Sequence, residues 1–438
     1  MKKRIAFISE HASPLALLGG VDSGGQNVYV SQVACHLSKL GYEVDVFTRW
    51  DNTNYKRIEQ LQPGVRVIHV EAGPKEFIVK EKLFQYMDEF ASDMIHWIQK
   101  NKPDYKLIHA HFWMSGYVAA IVKNILNIPY VITFHALGKI RRIHQGTADG
   151  FPDTRFKIEE EVAKEADMVF AECPQDKEDL MIHYLVNEDK IKIVPCGFDK
   201  QEFFPINKRT ARLKLGLNPA EPIILQLGRM VKRKGVDNVI NAMSLLSKNY
   251  KVKSRLLIVG GESDLPDPIQ TPEIGRLLDL ASKEKILDRI TFIGRRSREH
   301  LKYFYNAADL FITTPWYEPF GITPLEAMAC GVPVIGSNVG GIKYSIDHCK
   351  TGFLVPPNEP EILYQRITEI LDDPLLIRKF SINALNRVNT LFTWEIVSKT
   401  IAKLYSEIST IENPVSEKIQ NSLFERIGFK RREKISIE

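Results

Sequence analysis

Glu318 and Glu326 form an E-x7-E pair around Pro319-Phe320-Gly321-Ile322-Thr323-Pro324-Leu325. The segment reads as a loop entering a helix. Thr323 is placed to cap that helix, Pro324 fits its first position, and Glu326 completes a Thr-x-x-Glu capping box. Such a helix start aims backbone N–H groups at whatever lies before it, which suits a phosphate. Two acids beside a phosphate cradle point to a sugar carried on a nucleotide. Taken singly, a capping glutamate and a loop acid are the simpler readings. The cations elsewhere in the chain weigh against them.

Gly228-Arg229 closes an apolar strand, and Lys232, Arg233, Lys234 and Gly235 follow. Arginine grips phosphate with two parallel hydrogen bonds, and lysine acts as a point charge. Cations at a strand end, just ahead of a helix, can reach a phosphate set between two domains. His135 ends another strand, with Lys139, Arg141 and Arg142 shortly after it. His109 and His111 form an H-x-H pair that would share one strand face. No third ligand accompanies them, so no metal site is expected.

Gly19, Gly20, Gly24 and Gly25, then Gln26, lie between the first strand and the first helix. Such a turn can admit a diphosphate or a sugar, because glycine allows close backbone approach. It does not fit G-x-G-x-x-G, so a dinucleotide fingerprint is absent. Gly138-Lys139 precedes Ile140, so there is no Walker A. No G-x-S-x-G, H-E-x-x-H or D-x-D occurs. Without paired aspartates to hold a metal, fixed protein cations and helix N-termini would have to neutralise a leaving diphosphate.

These residues need a scaffold, and the length supplies one. At 438 residues the chain calls for two cores. Hydrophobic content of 44% and charged content of 26% are those of a globular protein. A net charge of +5 and a pI near 8.7 are too mild to imply nucleic acid, yet suit anionic ligands. Five irregularly spaced cysteines predict reduced thiols and a cytoplasmic setting. Lys2, Lys3 and Arg4 open the chain like a secretory leader, but Glu10 and His11 cut the apolar stretch short. No apolar run reaches the ~18 residues of a membrane span.

Short apolar runs at 4–9, 43–48, 65–70, 107–110, 130–134, 168–171 and 191–194 read as strands. Helical patterns at 26–40, 77–99, 115–126, 155–165 and 176–184 lie between them. The alternation restarts with strands at 222–227, 256–259, 290–293, 310–313 and 332–335. Helices at 236–247, 272–285, 299–306, 324–329 and 361–371 are interleaved with these. This is a parallel, doubly wound α/β signature given twice, with a linker at 197–217. The expected division is 1–204, 205–391, a terminal helix at 392–411 and a basic polar tail at 412–438. Ligands of such sheets sit at the carboxyl ends of strands, so the cleft between the domains is where chemistry belongs.

The chain resembles the retaining glycosyltransferases of family 4, with the GT-B fold. The motif Glu318-Pro319-Phe320-Gly321-Ile322-Thr323-Pro324-Leu325-Glu326 carries the resemblance. Leu227-Gly228-Arg229 with Lys234, Phe292-Ile293-Gly294 followed by Arg295, and Ala307-Ala308-Asp309 support it. So do Gly331-Val332-Pro333, Gly340-Gly341 and Thr351-Gly352-Phe353. The resemblance implies that Glu326 holds the nucleotide ribose and that Glu318 and His135 contact the donor sugar. It implies that Arg229 and Lys234 bind the diphosphate, with the amides near Gly321, Ile322 and Thr323 as a phosphate cradle. Gly24, Gly25 and Arg295 join the donor-binding set. The last helix would cross back to the first domain.

The first half is similar to sucrose synthases and sucrose-phosphate synthases in Asp22-Ser23-Gly24-Gly25-Gln26 and His135-Ala136-Leu137-Gly138-Lys139. It is also similar to the inositol-phosphate N-acetylglucosaminyltransferases in His11-Ala12-Ser13-Pro14-Leu15. That likeness implies an acceptor site at Gln26, Lys80, Lys139 and Arg155. Phe112 and Ala136 stand where the inositol enzyme has hydroxyl side chains, which favours a small sugar or sugar phosphate as acceptor. The expectation is a retaining hexosyl transfer from a nucleoside diphosphate sugar, UDP before ADP or GDP, with no cofactor. A lipid or polysaccharide acceptor, with membrane contact through the basic tail, and a nucleotide-sugar sensor without turnover are the less favoured alternatives.

Overall fold

The computed structural model describes residues 3–16, 24–250 and 253–409. Gly19, Gly20, Asp22, Ser23 and the basic tail lie outside the described residues.

The apolar runs become two mainly parallel sheets. The first uses β1 (Arg4–Ile8), β2 (Glu43–Arg49), β3 (Ile58–Gln62), β4 (Val65–Val70), β5 (Tyr105–His111), β6 (Tyr130–Thr133), β7 (Met168–Ala171) and β8 (Ile191–Ile193). Their order is β3-β4-β2-β1-β5-β6-β7-β8, all parallel except the β3–β4 pair. The second uses β9 (Ile223–Leu227), β10 (Arg255–Val259), β11 (Ile290–Gly294), β12 (Leu310–Thr313), β13 (Val334–Ser337) and β14 (Gly352–Val355), ordered β11-β10-β9-β12-β13-β14. Central strands such as β9 are buried at every position, because helices cover both faces. In both sheets the chain winds outward in one direction and then in the other. This leaves a switch point between β1 and β5 and another between β9 and β12, where a crevice opens at the strand ends.

After the helix Pro374–Leu391 the chain returns to the first sheet's domain. Phe198 N–H donates to the Phe392 carbonyl at 2.8 Å, and Trp394 N–H donates to Phe198 at 3.2 Å. The helix Trp394–Ser409 then packs on the helix Gly25–Lys39. Trp394 is fully buried, edge-on to Tyr29 at 5.5 Å, and the Tyr405 hydroxyl is 2.6 Å from His109 Nδ1. One apolar cluster runs from Val33 and Leu37 through Phe198 and Trp394 to Leu325 and Val388, so the core crosses from one lobe to the other.

Several elements differ from the sequence expectation. The pattern at 77–99 becomes a helix only from Met87, because Lys80–Lys82 and Phe84–Tyr86 form separate tight turns. The linker contains a helix, Lys208–Lys214, capped by the Asn207 side chain on Thr210 N–H. Its polar run is therefore a helix start. β3, β14 and the helices Gly138–Gln145 and Pro374–Leu391 have no counterpart in the expected elements.

Candidate active site

At the second sheet's switch point, β9 ends at Leu227, Gly228 follows, and the chain makes one turn at Lys232–Lys234. Gly235 closes that turn at φ +64°, where an added Cβ would lie 2.0 Å from the Thr314 carbonyl oxygen. Only glycine lets the lysine turn come up against the end of β12. Trp316 N–H then donates to the Arg233 carbonyl at 3.0 Å. The result is an ion cluster: the Lys234 ammonium donates to Glu318 Oε2, and Arg233 Nη1 lies 3.4 Å from the same oxygen. Burial alone would raise the Glu318 carboxyl, yet Lys234, Arg233 and Arg229 outweigh it and hold the group down at about 2. Lys234 is lowered to about 8, by burial first and then by Arg233 and Arg229, against the pull of Glu318.

Gly340 and Gly341 press on the same loop from behind. A Cβ on Gly340 (φ +45°) would sit 1.9 Å from the Glu318 carbonyl oxygen, and one on Gly341 would sit 2.4 Å from Phe320 Cα. The predicted capping box is absent. Ile322 already has helical angles (φ −77°, ψ −33°) and occupies the cap position, so Thr323 falls inside the first turn and its hydroxyl makes no cap bond. Glu326 instead turns into the lobe, where Arg298 Nη1 donates to it at 2.9 Å and the Tyr305 hydroxyl at 2.8 Å. A buried carboxylate gains more from a guanidinium than from a backbone amide. Arg298 also reaches Glu202 and lies 4.9 Å over the Phe203 ring, which ties this corner to the segment joining the sheets.

The first sheet supplies the opposing wall. Gln26 sits at its switch point, with Nε2 donating to Ser9 Oγ and to the His111 carbonyl, both at 3.3 Å. Gly25 faces Ile322 across the cleft, 3.7 Å from a virtual Cβ. His135, in a left-handed conformation (φ +59°), places Nδ1 2.9 Å from Glu172 Oε1 and Nε2 3.2 Å from His111 Nδ1. The His144 and Tyr317 rings stack at 5.0 Å, and Lys343 Nζ donates to Gln175 at 2.6 Å, again across the cleft. A cavity of about 330 Å³ lies between these contacts, lined among others by Leu137, His144, Cys173, Asp176, Tyr317 and Glu318.

The structure thus gathers Gly25, Gln26, Arg229, Lys234, Glu318 and Ile322 around one cleft, with Glu326 just beneath it and His135 on the opposing wall. Other expected residues stand apart. Arg155 is fully buried under Phe112 and Phe151, with Nε on Glu159 at 2.7 Å and Nη2 on the Ala136 carbonyl at 2.6 Å. A ligand could touch it only if those rings moved. Lys139 Nζ is spent on Glu160 and the His183 carbonyl. Arg295 points to Asp264 at 3.5 Å. Lys80 lies 3.8 Å from Glu81, which it shares with Arg141. Sequence reasoning missed Arg298, Tyr305 and Glu172, whose roles depend on partners far along the chain. Among the described residues no group of three or more His, Cys, Asp and Glu converges as metal ligands would, and no helix is long and apolar enough to cross a membrane.

This pair of sheets with a charged crevice between them is a glycosyltransferase architecture. Residues 23–202 match the profile described as Glycosyltransferase Family 4, and residues 207–387 match that of Glycosyl transferases group 1. The D-inositol 3-phosphate glycosyltransferase of Corynebacterium efficiens is 32% identical over 414 residues, covering 93% of this chain and 96% of its own. That of Rhodococcus jostii is 31% identical, over 92% of this chain and 89% of its own. Among solved structures, sucrose-phosphate synthase from Thermosynechococcus elongatus superposes with a TM-score of 0.84 at 34% identity, covering 93% of this chain and 99% of that one. Anabaena HepE, solved with UDP and glucose, shares the fold with a TM-score of 0.73 at 20% identity, over 92% of this chain and all of its own. The chain belongs to the family 4 glycosyltransferases and is a glycosyltransferase with two Rossmann-like domains.

Proposed function

We propose that the enzyme transfers a hexose from a UDP-sugar to a hydroxyl of a small sugar or sugar phosphate, in the cytoplasm, with the anomeric configuration retained. One observation carries the reading. The Lys234–Glu318 pair, backed by Arg233 and Arg229, lies at the switch point of one sheet, and Gln26 lies at that of the other.

Departure of the diphosphate places negative charge beside a sugar that gains oxocarbenium character. Lys234 and Arg229 stand ready to stabilise that charge without reorganising. Glu318, held ionised by its cations, orients the sugar through its hydroxyls. Glu326, fixed by Arg298 and Tyr305, binds the ribose, and Gly25 permits close approach of the donor. His135 faces the sugar from the opposing wall. The acceptor enters beside Gln26. The burial of Arg155 and its packing on Phe112 favour a sugar acceptor over inositol phosphate. The names of the relatives, an inositol 3-phosphate glycosyltransferase and a sucrose-phosphate synthase, support a polyol or sugar phosphate acceptor in general.

The test is a matrix of purified enzyme with UDP-, ADP- and GDP-glucose and UDP-N-acetylglucosamine as donors. Fructose, fructose 6-phosphate and inositol phosphate serve as acceptors, with product anomers read by NMR. Transfer from a UDP-sugar to a fructose-type acceptor with retention supports the reading. Exclusive use of inositol phosphate, or inversion, overturns it.

A further inference from the structure

Behind the cleft wall the histidine of β6's end belongs to a buried chain of polar groups. Tyr405 of the returning helix contacts His109 Nδ1 at 2.6 Å, and His109 Nε2 contacts Thr133 Oγ1 at 2.9 Å. The rings of His109 and His111 lie 4.1 Å apart. His111 Nδ1 meets His135 Nε2 at 3.2 Å, and His135 Nδ1 meets Glu172 Oε1 at 2.9 Å. The same Glu172 oxygen accepts from the Cys196 thiol at 3.3 Å. Glu172 is 4% exposed, and the side chain of His135, at 9%, is the most exposed of these groups.

Hydrogen-bond bookkeeping constrains where the protons lie. An oxygen that already accepts from a thiol is an acceptor, so His135 Nδ1 carries the proton that faces it. With a single proton on that ring, Nε2 is a lone pair, and His111 donates to it from Nδ1. His111 Nε2 is left bare, and that buried atom has no hydrogen-bond partner among the described residues. Burial, followed by His109, holds His111 well below the usual histidine range. Glu172, His135 and His111 are each consistent with this assignment.

We propose that Glu172 is a positioning and specificity-determining residue: it locks His135 as the Nδ1–H tautomer and so makes Nε2 a pure acceptor toward the donor sugar. This rests on the reading of His135 as a sugar contact. A sugar hydroxyl reaching Nε2 shares or replaces the long His111 contact, and it must donate. A fluorine in its place cannot donate. In Glu172→Gln an amide N–H₂ can face Nδ1, which reverses the tautomer and turns Nε2 into a donor.

The test has two arms. Long-range ¹⁵N–¹H spectra of histidine-labelled full-length protein, with His135 assigned by the His135→Ala difference, need no substrate. The expected result is an Nδ1–H tautomer in the wild type and its loss in Glu172→Gln. An Nε2–H tautomer in the wild type, or an unchanged one in the variant, overturns the proposal. The wild-type spectrum decides even if the variant fails to fold. In the second arm, kcat/KM is measured for UDP-glucose and its 3-, 4- and 6-deoxyfluoro analogues. One analogue should lose roughly tenfold or more with the wild type, as when a buried acceptor goes unpaired. With Glu172→Gln that loss should shrink to about threefold or less, by the same reasoning. Equal discrimination in both proteins overturns the specificity role. Absence of any transfer, with the tautomer as expected, instead counts against the functional reading alone.

Discussion

The ammonium of Lys234 rests on Glu318 Oε2, and each group sets the charge of the other. Glu318 is pinned ionised near 2, while Lys234 stays lowered to about 8 because burial, Arg233 and Arg229 work against it. A bound diphosphate would add negative charge beside Lys234 and restore its affinity for a proton. UDP binding near pH 8.5 is therefore expected to take up protons. The free enzyme's affinity should fall as pH rises through about 8. Calorimetry in two buffers of different ionisation enthalpy reads the uptake directly, and equal heats would remove Lys234 from the phosphate site. Lys234→Ala should lower kcat by roughly 10²–10³, as when one preorganised charge donor is lost.

Glu326 is engaged by Arg298 and Tyr305 and does not cap its helix. Glu326→Gln leaves a buried guanidinium with only part of its partnership, and about 1–3 kcal/mol of stability should go with it. UDP affinity should fall as well if the carboxylate reaches the ribose. Urea unfolding and UDP titration on the same preparation separate the two effects. Lost stability with unchanged affinity would assign Glu326 to the scaffold.

Gly340 has no room for a methyl group, since its Cβ would stand 1.9 Å from the Glu318 carbonyl oxygen at a φ of +45°. Gly340→Ala should cost about 1–3 kcal/mol, as overpacking does. It should also displace Glu318, lowering kcat beyond what the stability loss explains. A variant with wild-type turnover would show that the Glu318 loop tolerates movement.

Asp176 sits at the start of the helix Pro174–Tyr184, where its carboxyl accepts from Glu172 N–H at 2.9 Å. Burial, and then the charge of Glu172, raise it to about 8. The unfolded chain releases this proton near pH 3.9, whereas the folded protein keeps it to about 8. The unfolded state binds fewer protons across that window, so this group's contribution to stability is full below pH 4 and declines toward pH 8. Asp176→Asn should match the wild type in thermal unfolding at pH 4 and exceed it at pH 7.5. An equal difference at both values would exclude the titration.

The doubly wound order was readable because central strands such as Ile223–Leu227 are apolar at all positions but Gln226 and alternate with amphipathic helices. Edges were harder. β3 is Ile-Glu-Gln-Leu-Gln, a half-exposed antiparallel margin with little burial to mark it, and β14 is only four residues long. The helix Pro374–Leu391 leaves Leu375 and Ile382 exposed, which blurs its period. Local spacing predicted a cap for Glu326, but Arg298 and Tyr305 won the carboxylate from 28 and 21 residues away. The cationic turn and Glu318 were visible as motifs. Glu172 was not, because only folding brings it to His135.

The helix that covers Tyr29 and His109 is the last described element of the chain, although the surface it covers belongs to the first lobe. During synthesis that surface must wait for roughly 200 further residues, on the order of tens of seconds at ~5–20 residues per second. Until Trp394 arrives, the nascent lobe carries an uncovered greasy face. A ribosome-bound chain halted before residue 392 should therefore recruit chaperones, and release of the full chain should end that dependence.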